Sequence, residues 1–235
     1  MIPLPILGTL LLGGIAALDA TPIAQSLLSQ PLVTATLLGW LWGDWTVALG
    51  VGVVLQLIAA STLPVGSRTP EDYAVGGVVG AGSALMLASH QQLAYGRDAC
   101  ALVGVLLGML AAIGGVPLLK WQRRIHEGLA RWCEMELTRG SEGALAQAHT
   151  AAVVLSFGVG VAYCALGLGA GWWGLSGWLG RESLRLSHAW GTAQPLWLGF
   201  GLAQLLNAFV QRRMMRAAVF GAALIGAWLL LMIGS

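Results

Sequence analysis

The chain has 235 residues, of which 57% are hydrophobic even before its 34 glycines are counted. Asp, Glu, Lys and Arg make up 9% of the sequence, whereas soluble domains carry about 25%. A water-soluble protein of this size needs more charged side chains to cover its surface, which excludes soluble enzymes, disordered chains and secreted disulfide scaffolds. The composition predicts an integral membrane protein.

The charge-free runs of the sequence are long enough for membrane-spanning helices. These runs cover residues 1–18, 20–43, 45–67, 73–96, 99–119, 143–180, 186–211 and 217–235. About 18 apolar residues cross the hydrocarbon core as a helix, and backbone polar groups in lipid must be satisfied within the protein. We predict an all-α, polytopic integral membrane protein with about seven to nine membrane-inserted helical segments, forming a single membrane domain over residues 1–235.

The first third of the chain is divided by helix-breaking residues into pieces that are short for a membrane crossing. The interruptions are Pro3, Pro5, Pro22, Pro31, Pro64, Gly39, Gly43, Gly50 and Gly52. The pieces are either ordinary kinked helices or re-entrant and broken helices. Transporters use the second arrangement, because non-helical backbone at membrane depth is tolerated where it lines a polar cavity.

Five later segments have the length and composition of membrane spans. They cover residues 74–90, 99–119, 150–171, 192–210 and 216–233. G-x-x-x-G pairs, which allow helix backbones to approach closely in lipid, occur at Gly39/Gly43, Gly76/Gly80, Gly104/Gly108 and Gly167/Gly171. The pairs predict a tightly packed bundle, to which helices of other chains can add.

Residues 120–142 differ from the rest of the sequence in charge. The segment holds Lys120, Arg123, Arg124, Glu127, Arg131, Glu134, Glu136, Arg139 and Glu142. Its apolar residues recur at helical spacing, which predicts an amphipathic helix that leaves the membrane and lies along or above the surface. Such a helix is either a solvated connection between two spans or a docking surface for a soluble partner.

The basic residues predict an orientation. The basic cluster in 120–142 and the cluster Arg212, Arg213 and Arg216 are separated by the two spans 150–171 and 192–210, so both fall on one side. The positive-inside rule makes that side the cytoplasm. A loop with Arg181 and Arg185 would then face outward.

The sequence carries no recognisable motif for catalysis, metal or nucleotide binding. Cys100, Cys133 and Cys164 lack metal or redox spacing, the histidines form no ligand cluster, and no phosphate-binding glycine loop is present. The N-terminus has no basic segment or cleavage site typical of a signal peptide. We predict no catalytic residue, no metal and no cofactor.

Polar residues in apolar surroundings are the candidates for a binding site, because they are costly inside a membrane. Asp44 and Gln56 lie between apolar runs, and the turn-forming stretch 64–73 contains several more polar residues. The candidate substrate-binding residues are Gln56, Ser67, Arg68, Glu71, Asp72 and Asp44. Carboxylates, amides and an arginine that converge from a rigid turn suit a hydroxyl-rich ligand such as a sugar. The alternative is a surface loop in which Arg68 pairs with Asp72.

Three motifs in residues 19–91 resemble enzyme IIC, the membrane subunit of the mannose–fructose–sorbose family of the bacterial phosphotransferase system. That family reads R-P-L-V-x-x-T-L-x-G-x-x-L-G-D, then G-x-x-L-E-x-I, then G-A-A-x-x-P-D. This chain matches at Pro31, Leu32, Thr36, Leu37, Gly39, Gly43, Asp44, Leu55, Ile58, Gly66 and Asp72. Ser89-His90-Gln91 is similar to a further Gly-His-Gln in some members.

The resemblance implies a sugar-transport subunit of the bacterial cytoplasmic (inner) membrane, with multiple passes and no phosphoryl chemistry of its own. Family IIC pairs with a membrane subunit IID, and the IIC–IID heterodimers form trimers. The sugar, of mannose, fructose or sorbose type, crosses by an elevator-like movement and is phosphorylated by soluble IIB, which is supplied through IIA, HPr and enzyme I. Its contacts are therefore the sugar, these subunits and membrane lipid, with no nucleic acid. The second interpretation is a non-transporting paralogue that anchors or regulates soluble phosphotransferase components.

The chain departs from the family pattern at several positions. Gln56 replaces the glutamate of the second motif, and Gln30 replaces the arginine before Pro31. Ser67-Arg68 replaces Ala-Ala, and Glu71 stands where the family has proline. Loss of the charge at position 56 weakens a hydrogen bond to a sugar hydroxyl by about 1–2 kcal/mol, or about tenfold in affinity.

Overall fold

The computed structural model describes residues 3–20, 26–60, 69–90 and 96–210, followed by residues 212, 214–215, 217–222 and 225. Up to Phe209 these residues form six helices: α1 (Leu4–Ala20), α2 (Pro31–Trp42), α3 (Trp45–Ala59), α4 (Tyr73–Ala88), α5 (Arg97–Thr138) and α6 (Ala144–Phe209). No strand occurs in these described ranges. The all-α prediction is confirmed. The predicted span 216–233 lies largely outside the described residues.

Two of the helices are long and apolar enough to cross a membrane, within Arg97–Thr138 and Ala144–Gln204. The other four are shorter apolar helices of 12 to 17 residues. At 1.5 Å per residue, α2 is only about 18 Å long, against a hydrocarbon core of about 30 Å. The exact number of crossings in the predicted range of seven to nine therefore does not follow from helix length.

Helices α2 and α3 form a tight hairpin. Gly43, which ends α2, has a φ of 74°, a left-handed conformation that glycine adopts without steric cost. The next residue, Asp44, is the N-cap residue of α3. Gly52 of α3 packs directly on Ala35 of α2, so the two helices run antiparallel and their open ends lie at the same end of the bundle.

Helix α4 is the centre of the bundle, and every residue from Tyr73 to Leu85 is buried. It packs on α5 through two predicted glycine pairs. A Cβ atom on Gly80 would lie 2.7 Å from the Gly104 carbonyl oxygen, and one on Gly76 would lie 2.8 Å from that of Gly108. Side chains at these positions would force the helices apart, so glycine is required for this close antiparallel contact.

Helix α5 continues through the segment that is predicted to be an amphipathic helix leaving the membrane. It runs without a break from Arg97 to Thr138, so residues 120–138 are helical and continue the spanning helix. The position of this segment relative to the membrane surface stays a prediction. Pro117 does not end the helix, because a long helix tolerates one missing backbone hydrogen bond. The turn at Gly140, with a φ of 87°, then leads into α6.

The structure corrects the prediction of a loop around Arg181 and Arg185, because both residues lie inside α6. Arg185 pairs with Glu182 one turn away, at 3.2 Å. The glycines near Arg181 do not end the helix, because the residues around them are good helix formers. The predicted spans 150–171 and 192–210 are therefore two parts of one 66-residue helical segment.

A straight helix of 66 residues would be about 100 Å long, and the contacts show that α6 instead changes direction. Its first part runs antiparallel to α5: Tyr163 bonds to Ala111, and Ser187 lies against Gly96. Beyond Ser187 it runs parallel to α3: Trp190 packs on Gly50 and Gly201 on Leu57.

Because α3 itself runs parallel to α5, the two parts of α6 are oppositely directed. Val51 packs on Gly104 and Leu55 on Gly108, which fixes the common direction of α3 and α5. The opposed parts of α6 agree with the two oppositely directed spans predicted between the basic clusters. The side of the membrane on which the basic clusters lie stays a prediction.

Candidate functional site

Gln30 and Gln56 lie at the open end of the α2–α3 hairpin and contact each other. The Gln56 Nε2 atom donates to Gln30 Oε1 at 2.8 Å, and Gln56 Oε1 accepts from the Leu32 backbone N–H at 3.3 Å. Gln30 is the N-cap residue of α2, with Pro31 at the first helical position. Gln56 thus satisfies one of the backbone donors that the first turn of a helix leaves free.

Asp72 lies at the start of α4, at the same end of the bundle. Its Oδ1 atom accepts from the Val75 N–H at 3.3 Å and caps the helix, and its own N–H donates to the Ala112 carbonyl at 2.9 Å. A Cβ atom on Gly115 would lie 2.7 Å from the Asp72 Cβ. The absence of a side chain at Gly115 therefore lets Asp72 sit directly against α5.

A small cavity adjoins Asp72 between α1, α4, α5 and α6. Its volume is about 20 Å³, which is enough for about one water molecule, and Gln122 and Tyr163 also line it. The Tyr163 hydroxyl donates to the Ala111 carbonyl at 2.7 Å, and Gln122 Nε2 donates to Ser156 Oγ at 2.6 Å. Polar side chains thus surround Asp72 on the side that faces α5 and α6.

The remaining candidates, Ser67, Arg68 and Glu71, precede α4 in the sequence. Ser67 and Arg68 lie outside the described residues. Glu71 is partly buried next to Asp72, and its carbonyl accepts from the Tyr73 N–H at 3.0 Å. Thr69 accepts a hydrogen bond from Arg123 at 3.2 Å, which joins the chain before α4 to the extension of α5.

Asp44 does not join the other candidates. It caps α3 by accepting from the Val47 N–H at 3.3 Å, and its Oδ2 atom pairs with Arg97 Nε at 3.0 Å. Asp44 and Gln56 are 12 residues apart on the same helix, which places them about 18 Å apart along its axis. The structure therefore brings Gln56, Glu71 and Asp72 to one end of the bundle and places Asp44 at the other.

Two further polar residues near this end were not among the candidates. Gln30 was noted only as a departure from the family motif, although it is the direct partner of Gln56. Asp19 is 4% exposed and accepts three hydrogen bonds, from the Ser26 N–H and hydroxyl and from the Ser29 N–H. Asp19 is the one charged residue between two long apolar runs of the sequence, and this isolation is the signal that identifies it as a candidate.

The arrangement offers amide and carboxylate oxygens and amide N–H donors, which are the groups that bind hydroxyl-rich ligands. In the described part of the chain, no three His, Cys, Asp or Glu side chains are grouped as metal ligands. A helical bundle with apolar outer faces, a short-helix hairpin and polar groups at one end of the central helix defines a polytopic membrane protein.

The chain belongs to a family of sugar-transport proteins. Residues 5–224 match the family of the sorbose-specific IIC component of the phosphotransferase system, which confirms the resemblance of the N-terminal motifs. Membership makes this chain a membrane component of a sugar transporter. No protein of curated function matches the chain significantly.

Two solved structures share the fold. One, described only as "Structure of membrane protein", has a TM-score of 0.66 and 18% sequence identity, with 97% of this chain and 96% of that chain covered. The other is a cryo-electron microscopy structure of the mannose transporter ManYZ in complex with microcin E492. Its TM-score is 0.51, at 18% identity and with the same coverage of both chains. At this identity the two likenesses establish the fold alone.

Proposed function

We propose that the chain is the IIC subunit of a phosphoenolpyruvate-dependent phosphotransferase system and forms, with a IID subunit, the path of a mannose-, fructose- or sorbose-type sugar. The family match over residues 5–224 is the observation that carries this proposal. The likeness in fold to ManYZ, a mannose transporter, supports a sugar of this class. Soluble IIB, supplied by IIA, phosphorylates the sugar, and this chain contributes no catalytic group.

The proposed assembly is a trimer of IIC–IID heterodimers in the bacterial cytoplasmic membrane. The tip of the α2–α3 hairpin, at Asp44, lies beside Arg97 at the start of α5, and its open end lies level with Gly108 in the apolar part of α5. Short helices that end at membrane depth expose backbone and side-chain polar groups to a substrate path. Each of the IIC and IID subunits then contributes half of the sugar site, and the other subunit completes it.

The proposed sugar site lies where this hairpin meets the start of α4. Gln56 and Asp72 are its central residues, and the further candidates are Glu71 and, earlier in the sequence, Ser67 and Arg68. Pro31 packs on Gly77, which brings the N-terminus of α2 beside α4, one to two turns from Asp72. Asp44 is assigned to the structure of the opposite end, because it lies about 18 Å from Gln56 along α3 and pairs there with Arg97.

The test is phosphoenolpyruvate-dependent phosphorylation of labelled mannose and fructose. Vesicles carrying this chain and its IID subunit are supplied with the soluble carriers, and the rate for each sugar is measured with and without the chain. If product forms only when this chain is present, the chain is a transport subunit, and the rates for the two sugars rank them. Gln56→Glu, run in parallel, reports whether the neutral side chain has changed the preferred sugar.

Failure to form product would contradict the proposal when the complex is shown to assemble. In that outcome, binding of the soluble carriers to the vesicles distinguishes the second interpretation, a non-transporting regulatory or anchoring paralogue. Retained carrier binding without sugar phosphorylation would support the paralogue. Product from Gln56→Glu alone would instead show a transporter whose site has lost the family's usual substrate.

A further inference from the structure

An apolar groove runs along the outer surface between α5 and α6, at the point where α5 leaves its apolar segment. Its volume is about 540 Å³. The wall residues include Gly114, Pro117, Leu118, Trp121, Ala162 and Leu166. The groove is open to the surroundings rather than enclosed, and Leu118, Val159 and Tyr163 form the wall between it and the cavity beside Asp72.

The sequence explains why a groove forms here. Gly114 and Ala162 place small residues on facing positions of the two helices, while Trp121 and Leu166 form larger rims. Trp121 is 47% exposed and Leu166 is 70% exposed, so neither side chain fills the space between them. Tyr163 is held back by its hydrogen bond to Ala111, which keeps its ring in the wall.

The groove ends at a change from apolar to basic side chains. The apolar part of α5 finishes at Leu119, and the exposed residues Lys120, Arg123 and Arg124 follow. Arg124 is one turn beyond Trp121 and therefore on the groove's face of the helix. Arg123 points elsewhere, because it donates to Thr69. Within the described part of the chain, no ion pair occupies Lys120 or Arg124.

We propose that this groove binds one anionic glycerophospholipid, with an acyl chain against its apolar walls and the phosphate beside Lys120 and Arg124. Three features favour this occupant: an apolar groove at the end of a spanning segment, a tryptophan at its rim and cations without acidic partners just beyond it. Tryptophan is enriched where the hydrocarbon core meets the headgroups, and basic side chains attract anionic headgroups there. The proposal does not depend on which sugar is transported.

The test is native mass spectrometry of the full chain released from nanodiscs with equal amounts of phosphatidylcholine and phosphatidylglycerol. The wild-type chain is expected to retain one phosphatidylglycerol molecule. Lys120→Gln with Arg124→Gln should lower the preference for phosphatidylglycerol by about fivefold for each cation removed. Arg131→Gln, an exposed cation further along the same helix, is the matched control and should keep the wild-type preference.

A second variant tests the groove itself. Ala162 is exposed in the groove, so Ala162→Trp fills the space without entering the packed core, and lipid of either type should no longer be retained. Unchanged retention in Ala162→Trp, or unchanged preference after loss of both cations, would overturn the proposal. So would cross-linking of Ala162→Cys in membranes to another subunit or to a second copy, because a protein would then occupy the groove.

Discussion

The Gln56 Nε2 atom donates a hydrogen bond of 2.8 Å to Gln30 Oε1, which joins the two positions where this chain replaces charged residues of the family motifs. The family pattern has arginine at the first position and glutamate at the second. In this chain the two positions are joined by a neutral amide pair. Because its partner at position 30 is also neutral, the loss of charge at position 56 no longer predicts a simple loss of sugar affinity.

This coupling predicts non-additive effects on stability. Gln30→Arg alone places an unpaired cation at the N-terminus of α2, where the helix dipole disfavours it, and should destabilise the protein by about 1 kcal/mol. Adding Gln56→Glu should recover this loss, giving a coupling energy of about 1–2 kcal/mol. Thermal unfolding of the two single variants and the double variant in one detergent measures the cycle. Additivity within about 0.5 kcal/mol would mean that the two side chains do not interact.

Gly115 is predicted to be essential for the placement of Asp72. A Cβ atom introduced by Gly115→Ala would lie 2.7 Å from the Asp72 Cβ, so the start of α4 must move, at a cost of about 1–3 kcal/mol. Gly128→Ala on the same helix meets no atom within 4 Å and should instead stabilise the helix by about 0.5–1 kcal/mol. Thermal unfolding of both variants tests the contrast, and equal effects would refute the close contact.

Asp44→Asn is predicted to affect stability slightly and sugar phosphorylation hardly at all. Its partner Arg97 has a side chain that is 68% exposed, and ion pairs of this kind contribute about 0–1 kcal/mol. The amide oxygen of asparagine can still cap α3. The initial rate of sugar phosphorylation and the unfolding temperature check this prediction. A loss of activity as large as that caused by a change at Asp72 would place Asp44 in the transport path.

The turn held by Asp19 is predicted to be strained at Leu27. Leu27 is the only non-glycine residue with a positive φ among the described residues, at 71°, and its side chain is 63% exposed. Leu27→Gly removes the steric cost of this conformation and should stabilise the protein by up to about 1 kcal/mol.

Asp19→Ala should act in the opposite direction, with a loss of about 2 kcal/mol, because the backbone N–H groups of Ser26 and Ser29 lose their acceptor. Calorimetry of the two variants provides the comparison. Stabilisation by Asp19→Ala would show that the turn does not need the carboxylate.

The sequence predicted helices well where long apolar runs were bounded by charges or prolines, as for α4 and the first part of α5. It predicted helix ends less well. The charges at Lys120 and Arg181 predict helix boundaries, because charged residues usually leave the membrane. Lysine and arginine are nevertheless good helix formers, and α5 and α6 continue through these two positions.

The candidate residues show a similar limit. Asp44 and Asp72 both flank apolar runs, but one helix separates them, and a helix carries its two ends to opposite ends of the bundle. Their separation follows only once α3 is known to be a single helix that lies between them in the sequence. The contact of Gln30 with Gln56 depends on the α2–α3 hairpin and could not be read from either motif alone.

The most direct test of the proposed function is sugar phosphorylation by Asp72→Asn beside Asp98→Asn, in vesicles that contain the assembled membrane complex and the soluble carriers. Asparagine keeps an oxygen that can cap α4, so Asp72→Asn should assemble normally and lose most of its activity. Asp98 is exposed in the first turn of α5, and its variant should phosphorylate sugar at the wild-type rate. Wild-type activity in Asp72→Asn would remove this carboxylate from the sugar path and contradict the proposed site.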